Sequence, residues 1–318
     1  MKFKSQFLML ACAAFVFAFT PAAQAKDYLS IATGGTSGTY YPIGGAIAKA
    51  VSESGALQVT AETGNASVAN INLVAAGEIE IAFAQNDISY WAYNGQQMFK
   101  KPLKNLRAIA ALYPEHVQLI TLKDSNIKTV DGLKGKRVSV GAPGSGVEAD
   151  VQAIFQVAGL SYKDMKVDYL DFGATTSRFK DNQIDAGFVV AGYPTASIMD
   201  LATSKPITLL NFDGAFLTQL SKEHPYFVPS IIPAGTYQGI NQDISTPAVM
   251  AILVTNDEVA EDVIYQFTKE LYGHLADVHA SHAMAREIKL ESALNGLTIP
   301  LHPGAAKFYK EKGMKLPQ

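Results

Sequence analysis

The sequence predicts an α/β protein built of two similar units with a cleft between them. Short β-rich apolar runs alternate with longer amphipathic segments. The alternation starts twice, and two apolar strands stand where the chain would pass between the units.

In the first unit, residues 28–33 read as a strand, and a glycine-rich loop leads into a helix over 44–54, with Ile43, Ile47, Ala50 and Val51 on one face. A strand over 58–62, a helix over 67–76 and strands over 80–84 and 107–112 follow. The run 117–122 is another strand, broken by Lys123-Asp124-Ser125. The second unit opens with a strand over 137–141, a loop over 142–146 and a helix over 147–158. It continues with a strand over 166–172, a short helix over 176–182 and strands over 184–190 and 207–211. The run 249–255 resembles 117–122: apolar, then stopped by Asn256-Asp257. A long helix over 258–279 and more helix over 283–290 complete the chain. This order predicts a discontinuous first lobe (26–118 with 250–318), a second lobe (119–249) and hinge strands over 117–122 and 249–255.

The N-terminus has the pattern of an export signal. Lys2 and Lys4 precede an uncharged apolar run over 7–19, and Ala23-Gln24-Ala25 gives a small-x-small cleavage site. That run is shorter than the roughly 20 residues of an ordinary membrane span. Cleavage after Ala25 would place the chain in the periplasm. An uncleaved anchor is one alternative; a lipoprotein attached at Cys12 in Met9-Leu10-Ala11-Cys12 is another. Cys12 is the only cysteine, so residues 26–318 hold no disulfide, thiolate metal site or cysteine nucleophile. Removing Lys2 and Lys4 from the 26 basic residues leaves 24 against 29 acidic, a net charge of −5. That balance argues against nucleic acid and anionic membrane surfaces as partners. No later uncharged apolar stretch reaches 18 residues, so no insertion of the exported chain into a membrane is predicted.

In open α/β sheets ligands lie beyond the carboxyl ends of the strands. There the first unit places Gly34-Gly35-Thr36-Ser37-Gly38-Thr39-Tyr40-Tyr41-Pro42 and the second Gly141-Ala142-Pro143-Gly144-Ser145-Gly146. Each runs from a strand into a helix N-terminus, where backbone N–H groups favour an anion. Either alone reads equally as a tight turn; two in equivalent places fit one anion held from both sides. Thr63-Gly64-Asn65-Ala66-Ser67 opens another helix, as a cap or a ligand donor. Asp87 and Glu115 follow the third and fourth strands and are candidates for an ammonium group, or for caps and solvated charges. Catalytic and cofactor signatures are missing. Gly144-Ser145-Gly146 lacks the Gly-Lys-Ser/Thr ending of a P-loop, and no Gly-x-Ser-x-Gly elbow or dinucleotide fingerprint occurs. His274, His279 and His282 are poorly spaced for zinc, so no metal is assigned.

The ordered set of Ile31-Ala32-Thr33-Gly34-Gly35-Thr36-Ser37-Gly38-Thr39-Tyr40-Tyr41-Pro42, Glu62-Thr63-Gly64-Asn65-Ala66-Ser67, Ala84-Gln85-Asn86-Asp87, Leu112-Tyr113-Pro114-Glu115, Gly144-Ser145-Gly146 and Ile232-Pro233-Ala234-Gly235-Thr236-Tyr237 resembles the TAXI family, the extracytoplasmic receptors of one class of TRAP transporter. Asn65-Ala66 stands where the family often has two glycines. The resemblance implies a two-lobed periplasmic-binding-protein fold of type II. Each lobe would be a mostly parallel sheet flanked by helices, with the ligand in the interlobe cleft. It implies no catalysis, a monomer, a TRAP membrane subunit as partner, and a small anionic ligand such as L-glutamate or a related amino acid. A dicarboxylate such as 2-oxoglutarate, or a sensing role for a membrane kinase, stays open beside it. Carried over, the binding candidates are Ser37, Thr39, Tyr40, Asn65, Ser67, Gln85, Asp87, Glu115, Ser145 and Gly146.

Overall fold

The computed structural model describes residues 27–317. The export signal read over 1–25, and Cys12 with it, lies outside the described residues.

The first half begins with β1 (Asp27–Ala32), α1 (Tyr40–Ser52), β2 (Leu57–Glu62), α2 (Ser67–Ala75), β3 (Ile81–Gln85) and α3 (Asn86–Asn94). β4 (Leu106–Leu122) then runs into the second half: β5 (Arg137–Ser139), α4 (Gly146–Val157), β6 (Lys166–Asp168), α5 (Phe172–Lys180), β7 (Ala186–Ala191), α6 (Ala196–Ser204), β8 (Ile207–Leu209), α7 (Gly214–Glu223) and β9 (Val228–Ile232). β10 (Ile244–Asn256) returns to the first half, which closes with α8 (Glu261–Gly273), α9 (Leu275–His279) and α10 (Pro303–Glu311). The strands form one curled sheet in the order β2-β1-β3-β10-β4-β7-β5-β6, with β8 on β4 and β9 on β10. β1 is parallel to β2 and β3, and β5 is parallel to β6 and β7; β4 and β10 pair antiparallel to their neighbours.

The period-2 alternation of strand side chains sends alternate residues to opposite faces. Ile81 and Phe83 enter the core under α1 and α8, while Ala82 and Ala84 enter the core under α2 and α3. Phe188 and Val190 pack against α4 and α7, and Val189 and Ala191 against α6. Each half of the sheet is therefore covered on both faces, which is why its central strands are apolar throughout.

Several elements depart from the sequence reading. The expected break between strands 107–112 and 117–122 is absent, and β4 is continuous over 17 residues. Ala251 pairs with Tyr113 and Ile252 with Ala111, so Leu112 is bulged out of register, and the ladder carries Pro114 beside that bulge. Gln85-Asn86-Asp87 is not a loop. α3 starts at Asn86 directly from the buried end of β3 and stops at Gly95 in the left-handed conformation. The strand expected over 166–172 stops at Asp168, because Asp171 turns the chain and caps α5 through the N–H of Ala174 at 2.7 Å. The long helix expected over 258–279 is divided at Gly273-His274, where His274 leaves helical geometry. Residues 283–290 form 3₁₀ turns rather than an α-helix.

Candidate functional site

A cavity of about 220 Å³ lies where the loops at the strand ends of both halves meet. Residues 34–40 of the first loop line it, with Gly64 to Ser67, Gln85, Ala142, Ser145 to Val147, Asp171, Phe172 and Val190. The N-termini of α1, α2, α4 and α5 converge on it, each with first-turn N–H groups that lack intrahelical partners. No lysine or arginine lines the cavity, and its one ionisable acid is Asp171 at the start of α5, so only helix ends can attract an anion there.

The hydroxyls on this wall are not equivalent. Ser145 is a complete N-cap: its Oγ accepts the N–H of Glu148 and donates to the carbonyl of Ala142 at 2.7 Å. Thr39 does not cap α1; its Oγ1 donates to the carbonyl of Gly192 in the other half at 2.9 Å. Ser67 donates to Gln85 Oε1 at 3.4 Å and accepts from the backbone N–H of Gln85 at 3.1 Å. Thr36, Ser37 and Asn65 have no side-chain bond among the described residues, so their polar atoms are free for a ligand. Ala66, before α2, has φ 61° and ψ −154°, a region that only glycine occupies freely.

Asp87 and Glu115 do not line the cavity. They form a layer beneath it together with Asp150, a residue the sequence reading did not single out. Asp87 and Asp150 are 0 % exposed and Glu115 is 3 %. Tyr40, which faces the cavity, donates its hydroxyl to Glu115 Oε2 at 2.6 Å. Gln85, also on the wall, donates to Asp150 Oδ2 at 2.7 Å. Burial raises Glu115 to about 8, the Tyr40 bond pulling the other way. Burial likewise raises Asp87 to about 6, with the neighbouring Asp150 pulling the other way. Asp150 lies well above the usual carboxylate range, first through burial and then through the neighbouring Asp87. Burial thus pushes all three acids of the layer toward the neutral form. Asp150 was legible in principle: it shares the buried face of α4 with Val147, Val151 and Ile154, at helical spacing, as the one charged member.

The two halves touch around the cavity. Besides Thr39 to Gly192, Ser197 N–H donates to Ser37 O at 3.2 Å and Ala69 N–H to Gly144 O at 3.1 Å. At Gly146 a Cβ would sit 1.5 Å from Gln85 Oε1, so the start of α4 lies flat against the Gln85 side chain. His274, His279 and His282 each bond a backbone carbonyl through a ring nitrogen.

Solved structures share the architecture. A protein of Bordetella bronchiseptica RB50 superposes with a TM-score of 0.58 at 15% identity, covering 91% of this chain and 99% of that one. The ligand-binding component of an ABC-type import system from Staphylococcus aureus, solved with zinc bound, gives a TM-score of 0.54 at 9% identity, covering 92% of this chain and 94% of that one. At such identities the likeness establishes the fold alone, a mixed α/β fold with a curled sheet and flanking helices. The sequence itself matches the NMT1-like family over residues 31–313, both halves and the cavity included, and the chain belongs to that family.

Proposed function

We propose that the protein is an extracytoplasmic receptor that closes on a small anionic solute, foremost L-glutamate or a related amino acid, and delivers it to a membrane transporter of the TRAP class. The observation that carries this is the convergence of four helix N-termini on a small cavity between the halves, with no basic side chain in its wall. Such N–H groups hold a carboxylate. The cavity is smaller than the roughly 300–1,000 Å³ of drug-sized pockets, which suits a metabolite. The ligand's carboxylate would take Ser37, Thr36 and the open turn of α1, with the N–H groups of Gly146 and Val147 on the other side. An ammonium would face Tyr40 and Gln85 and feel the acid layer through them. Thr39, Asn65 and Ser67 would complete the wall, Thr39 by joining the halves. In this reading residues 26–118 with 250–318 form one lobe and 119–249 the other. β4 and β10, which pair with each other and then with β7 and β9 of the second half, would be the hinge. Similarity to the TAXI receptors supports the transporter class, and the hydroxyl and amide lining supports binding rather than catalysis.

The test is thermal unfolding of residues 26–318, stripped of carried-over ligand, with amino acids and organic acids added. A ligand at about a thousand times its dissociation constant adds roughly 4 kcal/mol, a rise of several degrees. A rise with L-glutamate and none with 2-oxoglutarate supports the ammonium-facing reading. A rise only with amine-free dicarboxylates keeps the receptor and removes the amino acid. A panel with no response at all removes the ligand class.

A further inference from the structure

We propose that closing the cleft takes up a proton, which Asp87 and Asp150 then hold between them across the two lobes. The inference rests on the two-lobed receptor reading and adds a second, ionic input to it.

Asp87 belongs to the first turn of α3 and Asp150 to the second turn of α4, so the pair joins elements of opposite halves. Asp150 Oδ2 is occupied by Gln85 Nε2. Asp150 Oδ1 and both oxygens of Asp87 are buried with no hydrogen-bond partner among the described residues. The two carboxyl groups act on one another: after burial, the neighbouring Asp87 is the next cause that raises Asp150. Two carboxylates repel; fully buried together with orphaned oxygens, they favour keeping one proton, and that proton belongs to the pair.

The surroundings supply no substitute cation. Besides each other, the pair meets Glu115 of β4 and the Gln85 amide, and the Asp87 charge is felt by Tyr226 before β9. The backbone N–H groups of Asp87 and Ile88 lie near the Asp87 carboxyl and favour its charge. Glu115 in turn meets Tyr40 of α1 and Tyr113 of β4, neither of them cationic. His116, next to Glu115, is lowered to about 4 by burial and is neutral, its Nε2 on Ser230 Oγ. No lysine or arginine is among the charges acting on these acids.

Opening the cleft would part Gln85 from Asp150 and Asp87 from Asp150. Each acid, once hydrated, ionises near the ordinary value of about 4. Above that range the open form has lost the shared proton and the closed form keeps it. Linkage then makes the closing equilibrium fall about tenfold for each pH unit, one proton per closure. Below about pH 4 both forms are protonated and the dependence vanishes.

Residues 26–318 contain no cysteine, which makes the distance between the halves easy to read. Spin labels at Glu53→Cys and Asp181→Cys would sit at the exposed far ends of α1 and α5, both of which start at the cavity. Double electron–electron resonance on the ligand-free protein from pH 5 to pH 8 should show the short-distance population shrinking as pH rises. Asp87→Asn can still donate to Asp150 and should keep a closed population whose size no longer follows pH; Asp150→Asn should do the same from the other lobe. A wild-type distance distribution that stays constant from pH 5 to 8, or a pH response that survives in both variants, overturns the proposal. If L-glutamate shortens the distance while pH does not, the proton linkage alone fails. If neither pH nor any compound of the panel moves it, the receptor reading fails as well.

Discussion

The two glycine loops look interchangeable in sequence and are not interchangeable in structure. Gly34 to Thr39 takes no positive φ; its helix α1 has no side-chain cap, and Ser37 keeps its hydroxyl free at the cavity. Gly141 to Gly146 needs left-handed backbone at Gly141 (φ 96°) and Gly144 (φ 76°), and its Ser145 hydroxyl is spent on capping α4. The first loop offers side chains to a ligand and the second offers backbone. The same contrast holds one layer down. Glu115 under α1 is bonded within its own half by Tyr40, whereas Asp150 in α4 is bonded by Gln85 of the other half. Similar loops at equivalent strand ends can thus divide one task between them.

The sharpest way to break this contrast is to add one methyl group to each loop. At Gly35 a Cβ meets no protein atom within 4 Å, and Gly35→Ala should leave stability within about 0.5 kcal/mol of wild type. At Gly146 the Cβ would meet Gln85 Oε1 at 1.5 Å and Ser67 Oγ at 2.9 Å. Gln85 is pinned by Ser67 and Asp150 and has little room to yield. Overpacking of this kind costs about 1–3 kcal/mol, and ligand affinity should fall tenfold or more because the halves can no longer meet. Titration calorimetry and urea melts on both variants decide it; a silent Gly146→Ala would mean that the close approach is unimportant for closure.

A smaller effect separates the two serines. Ser145→Ala removes a cap and should cost about 1 kcal/mol of stability, seen as a lower urea midpoint. Ser37→Ala removes a free hydroxyl and should leave stability unchanged while weakening ligand binding by about 0.5–1.5 kcal/mol, up to roughly tenfold. If the two variants exchange these signatures, the assignment of side chains to one loop and backbone to the other is wrong.

How much of this could be read beforehand follows from which signals are local. The alternation in β1 to β3 and β7, the two loops and the helices after them are written in neighbouring residues, and the lining residues follow from the loops. Asp87 and Glu115 were visible as acids at strand ends. Their depth was not, since it depends on α3 continuing directly from β3 and on Tyr40 and Gln85 standing in front. Asn86-Asp87 looks like a polar loop because its partners, Gly296 and Asp150, are remote in sequence. Pro114 hid the continuity of β4, because the bulge that accommodates it is made with β10. What depends on a partner in the other half, above all Asp150, needed the fold.

The smallest expected effect concerns the loop before α2, where the first half holds an alanine at positive φ, as the loop before α4 holds Gly141 and Gly144. Ala66 at φ 61°, ψ −154° stores strain of about 1–3 kcal/mol. Ala66→Gly relieves it and loses about 0.5–1 kcal/mol to the greater freedom of the unfolded chain. The net gain is about 1 kcal/mol, or roughly 2–4 °C in Tm. Asn65 and Ser67 flank this residue at the cavity, so affinity says what the strain is for. A Tm rise with weaker binding means that Ala66 holds the α2 N-terminus in place for the ligand. A Tm rise with unchanged binding means that the strain is incidental, and a Tm fall means that the surrounding contacts, rather than glycine-like freedom, set this turn.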